Sequence, residues 1–401
     1  MPTLRILSLT AALLFGLLSF SAATTTGTVD HSFAAGSRID QPVSAIMPTI
    51  DGKVYISGSF TTVRGAQRRG IARLNRDGTV DSSFDPGTGA DAPVDCVALQ
   101  PDGKILLGGS FTRFNGTHCF RIARLNPDGS LDRAFSSQAL ADRAVSAVTV
   151  QPDGKIVITG AFSSVNRQRR FAIARLNRDG SLDEGFDASN VFSFNGRTVS
   201  FVAIQADGKL VIGGNFSTVH SPPWDSLARL NADGSLDISF RPDPRPSHYL
   251  RSLVLQPDAR LLVGAEFTAS NGTRVQQLER LNPDGSRDAS FTPVPDFTNP
   301  VVLQPDGRIL ACRCFAVDFT CWFQVMRFNP NGTRDSSFNQ GRELEMNGVV
   351  ASATPLPDGG GALLGGAFGI AGNAGRSKLV KLQPDGTVDT EFQPGSEIAG
   401  Y

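Results

Sequence analysis

Histidine is scarce in this sequence, with four in 401 residues, at positions 31, 118, 220 and 248. These four stand in unrelated contexts. No H-E-x-x-H pair, metal-spaced His set or G-x-S-x-G elbow occurs, so the common zinc-hydrolase and serine-hydrolase signatures are missing. We expect from this a chain that is not an enzyme and needs no metal or cofactor. Cysteine is equally sparse: Cys96, Cys119, Cys312, Cys314 and Cys321 are too few to frame a chain of this length, and an odd count leaves at least one unpaired. The cluster at 312, 314 and 321 lacks the two spaced pairs of a structural zinc site and reads as a local cross-link or core filling. Neither sign of charge is in excess, since Lys+Arg and Asp+Glu are both 38, which removes the usual reason to expect nucleic acid as a partner. Tyrosine (3) and tryptophan (2) are rare against 27 phenylalanines, a bias that points to one Phe-bearing motif used many times.

Long apolar runs are confined to the start. "MPTLRILSLTAALLFGLLSFSAATTTG" has an early Arg, an apolar stretch from Ile6 to about Phe20, and small residues at Ser21 and Ala23 ahead of a plausible cleavage point. The stretch is shorter than a membrane span, so residues 1–23 read as a signal peptide and 24–401 as a single exported domain, placed outside the cell, at its surface or in a periplasm.

What the chain has in quantity is repetition. "QPDGKILLGGSF" at 100–111 returns with its turn Asp at 51, 102, 153, 207, 258, 306 and 358, a period of about 51 residues. A second element, "RLNPDGSLDRAF" at 124–135, returns with its closing Phe at 84, 135, 186, 240, 291, 338 and 392. Within a unit, "VSAVTVQ" and "KIVITGAF" are short β-branched runs joined by a Pro-Asp-Gly turn, and "FAIARLN" follows after a polar loop. No helical periodicity appears. Each unit is therefore a small antiparallel sheet that must stack on neighbours to bury its faces, and seven of them predict an all-β, seven-bladed β-propeller. "GTVDHSF" at 27–33 copies the tail "GTVDTEF" at 386–392, as a ring requires if its first and last blades share strands. The two motifs in register resemble the delta-60 repeat, a family of bacterial exported propeller proteins. That resemblance implies the fold and export and carries no assigned reaction.

Residues present in every copy are architectural. The turn Asp residues suit Asx turns better than calcium loops, which need more carboxylates. The Arg of "IARLN" (73, 124, 175, 229, 280, 327, with Lys381 last) is followed by an Asp (81, 132, 183, 237, 288, 335, 389), a pairing expected to pin strand to tail, two-pronged in each unit. Function should lie where copies differ, above all in the loop after the second strand. There the basic residues Arg64, Arg68, Arg69, Arg113, Arg167, Arg169, Arg170, Arg274, Arg376 and Lys378 face only Asp225 and Asp318. The expected function is a non-enzymatic binding or interaction module for an anionic polysaccharide or envelope protein. Arg64, Arg68, Arg69, Arg167, Arg169, Arg170 and Arg274 would serve as ligand forks, and Trp224 and His220 as stacking or pH-sensitive contacts. A lyase or hydrolase with its site in the central channel, and a bare surface scaffold, are the alternatives.

Overall fold

The computed structural model describes residues 39–392 except 193–197, 220–224, 244–245, 269–273, 318–319, 358, 360 and 372–377. The expected signal peptide and the tail copy at 27–33 lie outside the described residues. So do His220, Trp224, Arg376 and the side chain of Arg274, whose backbone opens the strand Arg274–Leu281.

The third unit shows the plan. Val145–Val150, Ile156–Gly160 and Ile173–Leu176 pair antiparallel in that order, and Leu182 adds one bridge to Leu176. The first turn closes because the Gly154 amide donates to the Gln151 carbonyl at 2.8 Å and the Asp153 carboxylate accepts the Lys155 amide at 2.9 Å; Gly154 sits at φ +82°, which a side chain would disfavour. In the second turn Asp179 accepts both the amide and the hydroxyl of Ser181, at 2.9 and 2.7 Å. Asp233 and Asp284 do the same for Ser235 and Ser286. These carboxylates serve their own backbone, as Asx turns do.

First strands pack against first strands all the way round, and the seventh, Leu344–Pro355, packs against the first, Val43–Pro48. The ring is closed, with these innermost strands surrounding the central channel. Between the sixth and seventh blades closure is reinforced by hydrogen bonding, since Leu344–Pro355 pairs with Thr320–Phe328 on one side and Ala362–Ala371 on the other.

The core is divided among the seven interfaces. Phe84 packs with Val94, Ile105 and Phe111 of the second blade, Phe135 with Val145, Ile156 and Phe162 of the third, and Phe186 with Val199, Leu210 and Phe216 of the fourth. The last of the series, Phe392, packs with Val43, Val54 and Phe60 of the first blade. Each unit's tail thus completes the hydrophobic core of its successor, which explains the phenylalanine bias. Full burial of each ring contributes about 1.5–3 kcal/mol.

Candidate functional site

The repeated Arg is part of the frame. Its Nε meets the following Asp at 2.7 Å (Arg73 to Asp81), 2.6 Å (Arg175 to Asp183) and 2.7 Å (Arg280 to Asp288), and its plane covers the tail Phe. The two-pronged pairing expected from sequence forms only in part: Arg124 sets both Nε and Nη2 on one oxygen of Asp132 at 2.9 Å, while in other units the second prong goes elsewhere. Nη2 of Arg73, Arg229 and Arg280 turns to a serine hydroxyl, and Nη1 crosses to the next blade, where Arg73 reaches the Pro127 carbonyl at 2.9 Å and Arg175 the Ala232 carbonyl at 2.7 Å. Lysines 53, 104, 155 and 209 approach the same Asp from the first turn at 2.7 to 2.8 Å.

The loops after the second strand fold in the first three blades into small hairpins, as in Thr62–Val63 with Ala66–Gln67 and Ser164–Val165 with Gln168–Arg169. Asp40, Asp91 and Asp142 fasten them by accepting two amides and a hydroxyl each. The expected basic face needs correcting here. Arg68 and Arg170 turn inward: Arg170 is 8% exposed, its Nη1 bonds the Arg169 carbonyl at 2.8 Å, and Arg68 bonds the Gln67 carbonyl at 2.7 Å. Arg64 is half-buried, while Arg69, Arg113, Arg167 and Arg169 reach solvent, Arg169 lying over the Phe171 ring at 4.5 Å. A cleft of about 300 Å³ runs between the first two blades beside Arg69, lined also by Ser59, Thr61, Asp91 and Pro93.

Further in at the same end, each first strand carries a bulge. Val94 pairs with Gly109 and Cys96 with Gly108, leaving Asp95 unpaired between them. A Cβ on Gly109 would lie 2.3 Å from the Pro93 carbonyl oxygen, so glycine is required where the bulge crosses. The equivalent bulges set out Ser44, Ser146, Ser200, Arg251 and Ala351, a ring of residues at one mouth of the channel. Asp95 is the one acid among these. Burial pushes its carboxyl up to about 6, and the one hydrogen bond it receives, from Ser110 at 3.4 Å, offsets this only in part. Neither Asp95 nor Arg251, three blades apart on the ring, has an ion-pair partner among the described residues.

Sequence reading passed over Asp95 because one polar residue in a strand is unremarkable; the signal was an acid in an innermost strand where three sister units carry Ser. Among the described residues the thiols of Cys96, Cys119 and Cys312 are buried, and burial pushes Cys312 up to about 12, away from the thiolate that reacts. Among the described residues no group of three or more His, Cys, Asp or Glu could hold a metal, and no helix is long and apolar enough to cross a membrane.

The sequence matches the beta-propeller family described as a domain of unknown function (DUF5122) over residues 51–84, 100–135, 151–186, 205–240, 256–291, 304–338 and 363–392. No curated protein matches it. Among solved structures, an ulvan lyase of polysaccharide lyase family 25, bound to a GlcA(1-4)Rha3S unit, aligns over 91% of this chain and 97% of its own at 10% identity and a TM-score of 0.50. The extracellular domain of a hybrid two-component system from B. thetaiotaomicron aligns over 84% of this chain and 40% of its own, at 10% identity and 0.45. A gluconolactonase from Xanthomonas campestris aligns over 76% and 86%, at 13% and 0.38. The expectation that the chain is not an enzyme does not stand against these findings. Propellers similar to it in fold include a polysaccharide lyase, so the missing hydrolase motifs exclude nothing in this architecture.

Proposed function

The chain belongs to the DUF5122 beta-propeller family, whose description gives a fold and no activity, and from the site we propose that it is a propeller enzyme, a lyase or hydrolase cleaving an anionic polysaccharide at the channel mouth. The observation that carries this is Asp95: a carboxyl without an ion-pair partner among the described residues, held by burial near the pH at which a general base works best, at the entrance of the channel. Glycoside hydrolysis ordinarily uses two carboxyl groups, and the described ring of bulges has one. Elimination from a uronate needs one base and a cation. Asp95 would take the proton beside the uronate carboxylate, the C–H electron pair would become the new C=C bond, and the glycosidic oxygen would leave and be protonated by solvent. Arg251 on the same ring would neutralise the uronate carboxylate. Arg69, Arg113, Arg167 and Arg169 at the same end would capture the polymer. This reading keeps the delta-60 assignment and places the substrate outside the cytoplasm, in line with the apolar segment at residues 6–20.

The experiment is to incubate the purified protein and Asp95→Asn with uronate-rich and sulfated polysaccharides, following ultraviolet absorbance for unsaturated ends and a reducing-end assay for hydrolysis. Product from the wild type alone supports the reading. No product from either protein overturns the enzyme, and equal product from both removes Asp95 from it.

A further inference from the structure

We propose that the groove between the fifth and sixth blades, at the end of the molecule carrying the Pro-Asp-Gly turns and away from the channel mouth of Asp95, binds an acidic sugar unit. The inference does not depend on the channel reading.

The groove is where the repeat departs from its own pattern. The first turn of units one to four has Gly followed by Lys; the fifth has Ala259, held at φ +65°, followed by Arg260, and the sixth has Arg308 in place of Lys. The second turn carries Asp at 77, 128, 179, 233, 284 and 385 but Asn331 in the sixth unit. Asn331 makes the usual turn bonds, accepting the Thr333 amide at 3.1 Å and its hydroxyl at 2.7 Å. Its geometry is that of the other copies, and what it lacks is their negative charge. This neutral residue directly follows Pro330, whose carbonyl Arg280 reaches at 2.5 Å.

These departures meet around an opening of about 740 Å³ lined by Gln256, Arg260, Arg280, Leu303, Gln304 and Asn331. Gln256 and Gln304 are 8% and 7% exposed, and the Oε1 of each is buried without a hydrogen-bond partner, as it is at the equivalent Gln100, Gln151 and Gln205 of the earlier units. A buried carbonyl left without a donor is costly, and Gln256 and Gln304 line one opening, where a group from outside the chain can supply it. A sugar hydroxyl supplies that donor. Arg260 uses Nη1 for Asp258 at 3.2 Å and Nε for Asp288 at 3.4 Å, leaving Nη2 without a partner among the described residues and available to a carboxylate. Asp258 and Asp306 also line the groove, but each is met by its own guanidinium, Arg260 and Arg308, at 3.2 and 2.9 Å. Pro257, Pro305, Pro330 and Leu303 add the apolar surface on which the C–H face of a pyranose rests.

The test is calorimetric titration of the purified protein with a glucuronate-containing disaccharide and its neutral glucose counterpart. The acidic sugar should bind more tightly. Asn331→Asp, which installs the residue six sister turns already fold with, should weaken the acidic sugar about fivefold and leave the neutral one unchanged. Gln256→Leu should weaken both about tenfold by removing a hydroxyl acceptor. Asp95→Asn should alter neither, which separates this groove from the channel. Absence of acidic-sugar binding by the wild type, or equal binding by Asn331→Asp, would overturn the proposal.

Discussion

Arg229 holds Asp237 at 2.8 Å through Nε and the Pro283 carbonyl of the following blade at 2.6 Å through Nη1. One planar side chain therefore ties a strand to its tail and a blade to its neighbour, which a lysine cannot do from the same position. Arg229→Lys should keep the charge pair, lose the crossing bond and cost about 1–3 kcal/mol in urea unfolding. A loss no larger than that of an exposed arginine such as Arg167 would remove the bond from the frame.

The same network sets the acid limit of the fold. Burial alone would raise the carboxyls of Asp132, Asp288 and Asp335, yet hydrogen bonds from Lys104, Ser290 and Ser337 and from the strand arginines hold each at about 2. A carboxyl depressed in the folded state contributes stability that is present above its unfolded value near 3.8 and is lost as pH falls through the folded one. The melting temperature should be steady down to about pH 4 and drop steeply from there to about pH 2. A flat profile across that window would contradict the network.

Asp95 has the opposite sign. Its carboxyl titrates near 6 in the folded chain, so ionising it opposes folding, and the penalty grows as pH rises from about 4 to about 6. Asp95→Ser, which copies the residue of three sister bulges, should be more stable than the wild type by up to about 3 kcal/mol at pH 8 and indistinguishable from it below pH 4. Thermal melts at the two pH values decide the matter.

Closure of the ring can be tested at the seam. Phe392 is 3% exposed between the last and first blades and Phe186 is fully buried between the third and fourth. Phe392→Ala and Phe186→Ala should each cost about 3–5 kcal/mol by denaturant unfolding. A seam substitution costing under about 1 kcal/mol would mean an open array.

The seven units were legible because turn chemistry is local: Asp-Gly pairs and their spacing need no tertiary information. The role of Phe84 and its copies in the next blade's core was not, since a tail gives no sign of which side it packs on. The hairpin arginines failed in a definable way. Strands of two residues, such as Gln168–Arg169, are too short for alternation to show which side chains face out, and Arg68 and Arg170 fell inward. Asp95 was hidden because a bulge interrupts the alternation that would have assigned its face.

Because every unit lends its closing ring to the unit after it, the chain has no privileged starting point. The hydrophobic joint made by Phe392 is built like the six made within the continuous polypeptide, although Lys381 stands there in place of the crossing arginine, so severing any one turn and linking the old ends would preserve all seven hydrophobic joints. Blade number is then a matter of copy count and curvature, and a gene that gains or drops a whole unit alters the width of the channel without leaving a mismatched edge.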